Sequence, residues 1–383
     1  MVHRSRLSGL HAIRGYYAFY FAAMGLMLPF FPLWLAGRRL DVATIGLLSG
    51  LLAAGKVVAP PLAGWLADRH PPGGLRAMVV VALGLSALLA LAWPWVDGVV
   101  ALALLIALFG LLWAATLPLA DQLSIALSEQ AQGSYGRLRA FGSLGFIVAS
   151  LAGGAWLGGA GQVALLPPVV ALVLLMAAAC GAAFPPPAHH AALLAGPTGT
   201  PQPARLRALI LAGFLMQLSH GTYYGFFTLH LGHLGYTGWQ IGFFWMVGVA
   251  AEIVLMWRWS DALHAADPYR VLSLCLLLAA LRWIGTALAV DWWAIALLQL
   301  LHAASYAAFH ITALVWVQRW APAGRSAAAQ GWFSSAGFGL GASLGMAGCG
   351  QVIAAAGFTT AWWLCAAVAL AAIRLLRPLR QAA

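Results

Sequence analysis

The chain consists largely of twelve apolar blocks rich in Leu, Ala, Val, Trp and Phe. Most are about 18 to 25 residues long, the length that a helix needs to cross a hydrocarbon core of roughly 30 Å. Only 8% of the residues are charged, whereas a soluble domain carries roughly a quarter. We therefore predict an all-α membrane protein with twelve transmembrane helices, here called spans 1 to 12. The predicted spans cover residues 12–36, 42–66, 75–95, 99–127, 137–160, 162–184, 206–231, 238–260, 269–290, 292–318, 326–350 and 353–376.

The longest break in the apolar pattern separates the first six spans from the last six. This break, FPPPAHHAALLAGPTGTPQPARLR at 184–207, has the Pro, Gly and Thr content of a flexible linker. We therefore predict an N-terminal six-helix bundle over 1–184, a cytoplasmic linker over 185–205 and a C-terminal six-helix bundle over 206–383.

The two predicted bundles contain an internal repeat. Shifting FFPLWLAGRRLDVATIG (30–46) by 196 positions places it on FFTLHLGHLGYTGWQIG (226–242) with six identical residues. A second pair of similar segments is FGSLGF (141–146) and FSSAGF (333–338). Parallel repeats of this kind form substrate sites between their two bundles, near the midplane of the membrane. We therefore predict two pseudo-symmetric bundles around a central site.

The net charge of +11 is distributed unevenly along the chain and does not indicate a nucleic-acid partner. If both termini lie on one side of the membrane, sixteen arginines lie on that side and only Arg38 and Arg39 lie on the other. The positive-inside rule then predicts a multi-pass protein of the inner membrane with cytoplasmic N- and C-termini.

Several charged residues lie well inside the predicted spans. The shift of 196 positions places Lys56 of span 2 on Glu252 of span 8, so that equivalent positions carry opposite charges. Arg282 lies near the middle of span 9, and Asp121 and Arg139 lie in spans 4 and 5. A central ionisable group costs roughly 2.5 to 3.5 kcal/mol on insertion scales, so each one needs a partner, a water-filled cavity or a neutral form.

Spans 7 and 10 each carry a polar stripe. With spacings of 3, 4 and 4 residues, each stripe occupies one face of its helix. Because lipid would not tolerate such faces, we expect them to line a cavity. The stripes are Gln217, His220, Tyr224 and Thr228 in span 7, and Gln299, His302, Tyr306 and His310 in span 10.

The segment GWLADRHPPGGLR (64–76) resembles the signature between helices 2 and 3 of the major facilitator superfamily. Gly64, Asp68 and Arg69 stand in the expected places, with His-Pro-Pro where the pattern usually continues Gly-Arg-Arg. More narrowly, PLADQL, YGRLRAFGSLGF, HGTYYGFF, VGVAAEIV, LRWIG and LHAASYAAFH resemble the 3-phenylpropionate permease group, itself similar to lactose permease and to nucleoside/proton symporters. The resemblance implies the twelve-helix fold of the superfamily and a proton-coupled symporter that alternates between inward-open and outward-open states. Asp68 and Arg69 would act in gating.

The resemblance also implies roles for the charged residues. In lactose permease an acid on helix 4 and an Arg on helix 5 hold the sugar, and an acid, an Arg and a His on helices 8, 9 and 10 take part in binding and proton coupling. The additional helix 10 acid that carries the proton in that permease has no counterpart here, because Ser305, Tyr306 and Phe309 occupy the nearby turn. The matching positions in this chain are Asp121, Arg139, Glu252, Arg282 and His302, with His310 as an alternative to His302.

Glu252 is therefore our candidate for the coupled proton. A carboxylic acid in a low-dielectric cavity favours its protonated form, and it ionises when the cavity opens to water or a cation approaches. We expect Arg282 and His302 to tune this exchange.

Lys56 indicates the charge of the substrate. A cation that faces a central cavity would attract a carboxylate, and aromatic rings could enclose an apolar body. A small aromatic acid such as 3-phenylpropionate fits both parts. The candidate substrate-binding residues are Lys56, Asp121, Arg139, Tyr16, Tyr20, His220, Tyr223, Tyr224 and Tyr306, with Trp113 and Phe146 nearby.

The same residues also have structural interpretations. Lys56 and Glu252 can pair as a bridge between the bundles, and Asp121 and Arg139 can simply pin spans 4 and 5. The histidines can be buried hydrogen-bonded residues, and the tyrosines can serve in packing or at the interface. Alternative functions are a proton-coupled sugar or nucleoside symporter and a multidrug/proton antiporter, whose cationic drugs would be attracted by carboxylates.

The motifs of the sequence give no support to other protein classes. No HExxH or paired acidic motif indicates an enzyme, and no GxxxxGK[ST] loop indicates an ATP-driven pump. The four cysteines lie in apolar blocks without paired spacing, so we predict neither a disulfide nor a zinc site. We therefore expect no catalytic residue, cofactor or metal. The expected partners are a small-molecule substrate, protons and the lipid bilayer, and the expected state is a monomer.

Overall fold

The computed structural model describes residues 2–67, 69–130, 134–158, 161–185, 200–323 and 325–382, and the regular structure within these ranges is helical. The predicted linker therefore lies mostly outside the described residues. The N-terminal half contains spans 1 to 6. Their helices are Val2–Gly37, Val42–Ala67, Pro72–Ala92, Val99–Gln130, Tyr135–Leu157 and Leu166–Ala182. Short 3-10 helices, Trp93–Trp95 and Gln162–Leu165, lie at the ends of spans 3 and 6.

The C-terminal half contains the remaining spans, several of which consist of more than one helix. Span 7 comprises Pro203–Ser219 and Gly221–His233, span 8 is Gly238–Ala265, and span 9 is Pro268–Leu288. Span 10 comprises Trp292–Leu300, the π-helix Ala303–Ala308 and Phe309–Trp320. Spans 11 and 12 comprise Ser326–Ser334, the π-helix Ser335–Gly341 and Ala342–Leu375, followed by the 3-10 helix Arg377–Ala382.

Ten of these helical segments are long and apolar enough to cross a membrane. The two remaining crossings are explained by a break in span 7 and by a reversal of the chain between spans 11 and 12. Span 7 is interrupted at His220, which divides it into helices of 17 and 13 residues. Ala342–Leu375 is not one straight helix, because Gly357 has φ 81° and ψ 172°. The Sγ atoms of Cys349 and Cys365 lie 3.7 Å apart, whereas a straight helix would separate these residues by about 24 Å. The chain therefore reverses at Gly357, and the predicted twelve-helix membrane fold is confirmed.

Equivalent positions of the repeat begin spans 2 and 8. Asp41 accepts hydrogen bonds from the hydroxyl (2.7 Å) and the backbone N–H (2.9 Å) of Thr44. These hydrogen bonds lower the pKa of the exposed Asp41 carboxyl. Thr237, which lies 196 positions later, starts span 8 in a capping box with Gln240. Equivalent positions of the two repeats therefore both cap a helix, one with Asp41 and the other with Thr237.

The two halves meet through glycine backbones. Successive spans cross in opposite directions, so the loops that follow odd-numbered spans share one side of the molecule, here called the odd-loop end. In span 2, a Cβ added to Gly50 would lie 2.5 Å from the carbonyl oxygen of Ser343 in span 11. In span 5, a Cβ added to Gly154 would lie 2.5 Å from the carbonyl oxygen of Gly238 in span 8. Small residues, and glycine above all, allow helix backbones to approach this closely.

Candidate functional site

A cavity of about 200 Å³ lies between the two halves, and Lys56 and Glu252 both line it. The other polar groups of its wall come from Ser49, Ser143, Gln217 and His302 and from three tyrosines. Such a wall, largely apolar with few polar groups, is typical of a small-molecule site. The aromatic residues of the wall are Tyr20, Phe21, Phe31, Trp113, Phe146, Tyr224, Trp245, Tyr306 and Phe338.

Lys56 contributes a cation to this wall without a protein counter-ion. Among the residues that the structure describes, no acidic side chain lies within 4.0 Å of its ammonium group. Glu252, its equivalent in the repeat, pairs with His302 instead, through a distance of 2.8 Å between Oε1 and Nε2. A positive charge in an apolar wall attracts any anion that enters, because the local dielectric constant is low.

Glu252, His302 and Arg282 form a chain of hydrogen bonds across spans 8, 10 and 9. Nη1 of Arg282 lies 2.7 Å from Nδ1 of His302. A guanidinium group can only donate, so Nδ1 accepts this bond and carries no proton. A neutral His302 then has its proton on Nε2, where it donates to Glu252. One imidazole thus connects the carboxylate that faces the cavity to a buried cation.

Neutral groups hold Arg282 in its buried position. Its guanidinium donates to Oε1 of Gln299 at 2.7 Å and to Oγ of Ser305 at 3.2 Å, and it lies 4.1 Å from the ring centroid of Tyr223. The ring face carries negative charge density that attracts the cation. Arg282 itself is fully buried and does not reach the cavity.

The π-helix of span 10 aligns three polar rings. His302 immediately precedes it, Tyr306 lies inside it and His310 follows it. The rings of His302 and Tyr306 stack with centroids 5.4 Å apart, and those of Tyr306 and His310 stack 6.2 Å apart. The wider turn of a π-helix, which often occurs at functional sites, changes the direction of the side chains that follow it.

The predicted polar stripes reach the cavity only in part. Gln217 and Tyr224 of span 7 line the cavity, as do His302 and Tyr306 of span 10. The other four residues do not line the cavity, because they bond or pack inside the C-terminal half. Thr228 accepts a hydrogen bond from Nε1 of Trp245, and His220 bonds the carbonyl oxygen of Met216. Gln299 bonds Arg282, and His310 packs on Tyr306 and Phe338.

Asp121 and Arg139 form a second cluster with Tyr17, away from the cavity wall. The hydroxyl of Tyr17 donates to Oδ1 of Asp121 at 2.6 Å, and Nε of Arg139 lies 3.9 Å from the same oxygen. Arg139 also lies 4.2 Å from the ring centroid of Phe21, which does line the cavity. The cluster joins spans 1, 4 and 5, and Phe21 connects it to the wall of the cavity.

The remaining candidate residues occupy three kinds of position. Tyr20 lines the cavity. Tyr16 is buried behind it, where its hydroxyl donates to the carbonyl oxygen of Thr116 at 3.3 Å, and Tyr223 is buried against Arg282. Asp68, a predicted gating residue, lies outside the described residues. Arg69 is exposed, with its guanidinium 4.3 Å from the ring centroid of Trp65.

Sequence reasoning missed several residues of the wall. Trp245 and Val249 line the cavity together with Glu252. They precede Glu252 by seven and three positions, which is the spacing of residues on one helical face. A helical projection from Glu252 would have identified both. Phe338 lies in the π-helix of span 11. The repeat could have identified it, because FSSAGF (333–338) places Phe338 on Phe146, which also lines the cavity.

The described residues contain neither a cluster of metal ligands nor a disulfide. Within the described ranges, no group of three or more His, Cys, Asp or Glu side chains could hold a metal ion. Cys349 and Cys365, for which no pairing was predicted, lie in contact as free thiols. They belong to the packing around Gly357 and not to the cavity.

Comparisons with known proteins agree with this geometry. The chain is 27% identical over 328 residues to the "Probable 3-phenylpropionic acid transporter" of Escherichia coli K12, which covers 79% of this chain and 80% of that protein. It is 31% identical over 345 residues to the "Maltose permease" of Geobacillus stearothermophilus, covering 85% and 83%. The structure of the nucleoside transporter NupG superimposes with a TM-score of 0.81 at 17% identity, covering 97% of this chain and 99% of that one.

The family assignment rests on most of the chain. The sequence profile of the MFS_1 like family matches residues 10–364, which include all the described residues that line the central cavity. The match agrees with the twelve helices and with the solved transporters of the same fold. The protein is therefore a multi-pass membrane transporter that belongs to the MFS_1 like family.

Proposed function

We propose that this protein is a proton-coupled symporter that imports a small aromatic carboxylate, such as 3-phenylpropionate, across the inner membrane by alternating access. The observation that supports this most directly is Lys56, a cation in a largely apolar wall rich in aromatic rings, with which no carboxylate of the described residues pairs. The carboxylate of the substrate would pair with Lys56, and its ring would pack among Tyr20, Trp113 and Phe146.

The size and chemistry of the cavity favour an aromatic acid over a disaccharide. The name of one relative, the maltose permease, suggests a sugar as a second candidate. A disaccharide has about twice as many non-hydrogen atoms as phenylpropionate, and the cavity of about 200 Å³ is smaller than pockets for drug-sized ligands, which begin at roughly 300 Å³. A sugar also needs hydrogen-bond partners for each hydroxyl group, because every buried hydroxyl without a partner weakens binding.

Glu252 is the proposed carrier of the coupled proton. It lines the cavity, where it meets substrate and water, and its hydrogen bond to His302 connects it to Arg282. Protonated Glu252 would load with the substrate, and ionised Glu252 would form when its proton is released on the cytoplasmic side. The halves, 1–184 and 206–383, would rock around the cavity with the linker 185–205 between them, and both termini would be cytoplasmic.

Uptake into proteoliposomes tests this proposal. We expect radiolabelled phenylpropionate to accumulate when an inward proton gradient is imposed, with alkalinisation of the external buffer, while maltose and nucleosides do not accumulate. Glu252→Gln should abolish accumulation against a gradient and retain exchange of labelled for unlabelled substrate. Accumulation of maltose, expulsion of cationic drugs, or uphill uptake by Glu252→Gln would each contradict a distinct part of the proposal.

A further inference from the structure

Arg282 is a buried cation whose hydrogen-bond acceptors are all neutral among the described residues. Its guanidinium bonds Nδ1 of His302, Oγ of Ser305 and Oε1 of Gln299. Gln299 is as fully buried as Arg282 itself, at 0% exposure. A hydrogen bond to a buried charge is costly to remove, because no water replaces the lost acceptor. Gln299 therefore contributes strongly to the position of the guanidinium.

The position of Arg282 determines which nitrogen of His302 carries a proton. While Nη1 of Arg282 donates to Nδ1, neutral His302 must carry its proton on Nε2, since two donors cannot face each other. Nε2 then donates to Oε1 of Glu252. This arrangement favours an ionised Glu252, whereas a protonated Glu252 cannot donate its own proton to Nε2 until Arg282 releases Nδ1.

We infer that Gln299 is a positioning residue that, through Arg282, fixes the tautomer of His302 and thereby sets the pH at which Glu252 exchanges its proton. The inference rests on the proposed role of Glu252 in proton coupling. Gln299 does not line the cavity, so it acts without contact to substrate. Its amide bonds only Arg282 and the carbonyl oxygen of Ile295 among the described residues, so that its effect passes through the guanidinium.

Other titratable groups surround the Glu252–His302 pair, and their influence on its protonation is common to the wild type and the variants. From span 7, the rings of Tyr223 and His220 lie 5.2 Å and 6.3 Å from the ring of His302. From span 10, the ring of Tyr306 stacks on His302. Tyr224 of span 7 and Lys56 of span 2 line the same cavity. None of these residues hydrogen-bonds to Gln299 in the described structure.

Gln299→Leu tests the inference, with Thr286→Val as the matched control. Thr286 is also buried, and its hydroxyl donates to the backbone carbonyl of Arg282 at 2.8 Å without contact to the guanidinium. For Gln299→Leu, we expect the midpoint of the pH profile of uptake to move toward higher pH by about one unit, because the cation no longer stays beside His302. Thr286→Val should retain the wild-type midpoint. Equal midpoints in both variants would overturn the inference.

A spectroscopic measurement separates this inference from the proposed function. In protein labelled with ¹⁵N-histidine, the imidazole shifts report which nitrogen is protonated, and the spectrum of His302→Asn identifies the signals of His302. We expect an unprotonated Nδ1 in the wild type and a mixture of tautomers in Gln299→Leu, or in Gln299→Met if the former does not fold. Unchanged signals would refute the role of Gln299. Uptake that is independent of pH in the wild type would refute only proton coupling.

Discussion

Each charged side chain at the centre of this protein is stabilised in a different way. Glu252 bonds an imidazole, and Arg282 bonds neutral acceptors and an aromatic face. Lys56 has neither kind of partner among the described residues. A charge in the membrane interior is costly without compensation, so we expect the contents of the cavity to compensate the charge of Lys56. Under the proposed function, the solvation of Lys56 changes when a substrate enters or leaves.

The variant Lys56→Met removes this charge and keeps an unbranched side chain that is one atom shorter. We expect the KM for an aromatic carboxylate to rise by about tenfold to a hundredfold, since a hydrogen bond to a charged group contributes about 1.5–3 kcal/mol. Uptake measured over a range of substrate concentrations gives the KM. Ser49→Ala, which removes a neutral polar group from the same wall, is the control and should change the KM by less than about threefold. Similar changes in both variants would exclude a charge-specific role of Lys56.

Part of the site was predictable from single residues. The repeat placed Lys56 and Glu252 at equivalent positions, and both line one cavity. The resemblance indicated that Arg282 and His302 act together with Glu252, but the sequence did not decide which of Arg282, His302 and Lys56 bonds it directly. These residues belong to separate helices, whose relative depth and rotation do not follow from the pattern of any one segment. Tyr16 and Tyr20 illustrate the same limit. They share a helical face, yet only Tyr20 reaches the cavity.

At the scale of elements, interruptions in the helices are what sequence patterns fail to predict. The apolar blocks located the twelve spans, because length and hydropathy are properties of one segment alone. The break at His220 and the π-helix at 303–308 lie inside single apolar blocks, which therefore did not indicate them. The reversal at Gly357 lies a few residues beyond the break predicted between spans 11 and 12. Two of these interruptions border the site, so the elements that shape the site were the least predictable.

The contact between spans 5 and 8 predicts a difference between two glycines. Gly154→Ala places a Cβ 2.5 Å from the carbonyl oxygen of Gly238, and such overpacking costs about 1–3 kcal/mol. Gly84→Ala meets no atom within 4 Å and should gain up to about 1 kcal/mol of helix propensity. We therefore expect the melting temperature of the purified protein to fall for Gly154→Ala and to rise or stay constant for Gly84→Ala. The reverse order would show that the spans do not approach closely.

The cap of span 2 predicts a dependence of stability on pH. Hydrogen bonds from Thr44 lower the pKa of Asp41, so the folded state favours the ionised carboxyl. This stabilisation is fully present above the pKa of the unfolded chain, and it is lost as the pH falls through the lower pKa of the folded protein. We expect Asp41→Ala to lower the melting temperature at neutral pH and to have a smaller effect at strongly acidic pH. Asp41→Asn, which retains a capping oxygen, should lose less stability at neutral pH.

At the scale of the whole molecule, the site exists only because two halves meet. Lys56 comes from the N-terminal half, and the Glu252–His302–Arg282 chain belongs to the C-terminal half. The linker and the internal repeat predicted two bundles around a central site, and the residues that line the cavity come from helices of both halves. The volume of the cavity was not predictable, because it depends on how far the two halves lie apart.

The volume of the cavity predicts the size range of the ligands. Unlabelled aromatic carboxylates with one ring and a short chain should compete for uptake of labelled phenylpropionate. Two-ring acids and disaccharides should compete poorly, because a closely packed wall does not expand without cost. A competition series at constant charge and increasing size measures this limit. Equal competition by all sizes would mean that the substrate binds in a more open conformation than the one described.

The glycine contacts at the odd-loop end have a consequence for the energetics of transport. When helices touch through peptide groups, their separation uncovers carbonyl oxygens such as those of Gly238 and Ser343, and not aliphatic side chains. Water hydrates a newly uncovered carbonyl far more readily than a newly uncovered leucine. An opening at the odd-loop end would therefore hydrate at a small cost in free energy. We expect the contents of the cavity, and not the helix contacts at this end, to determine how long the opening stays closed.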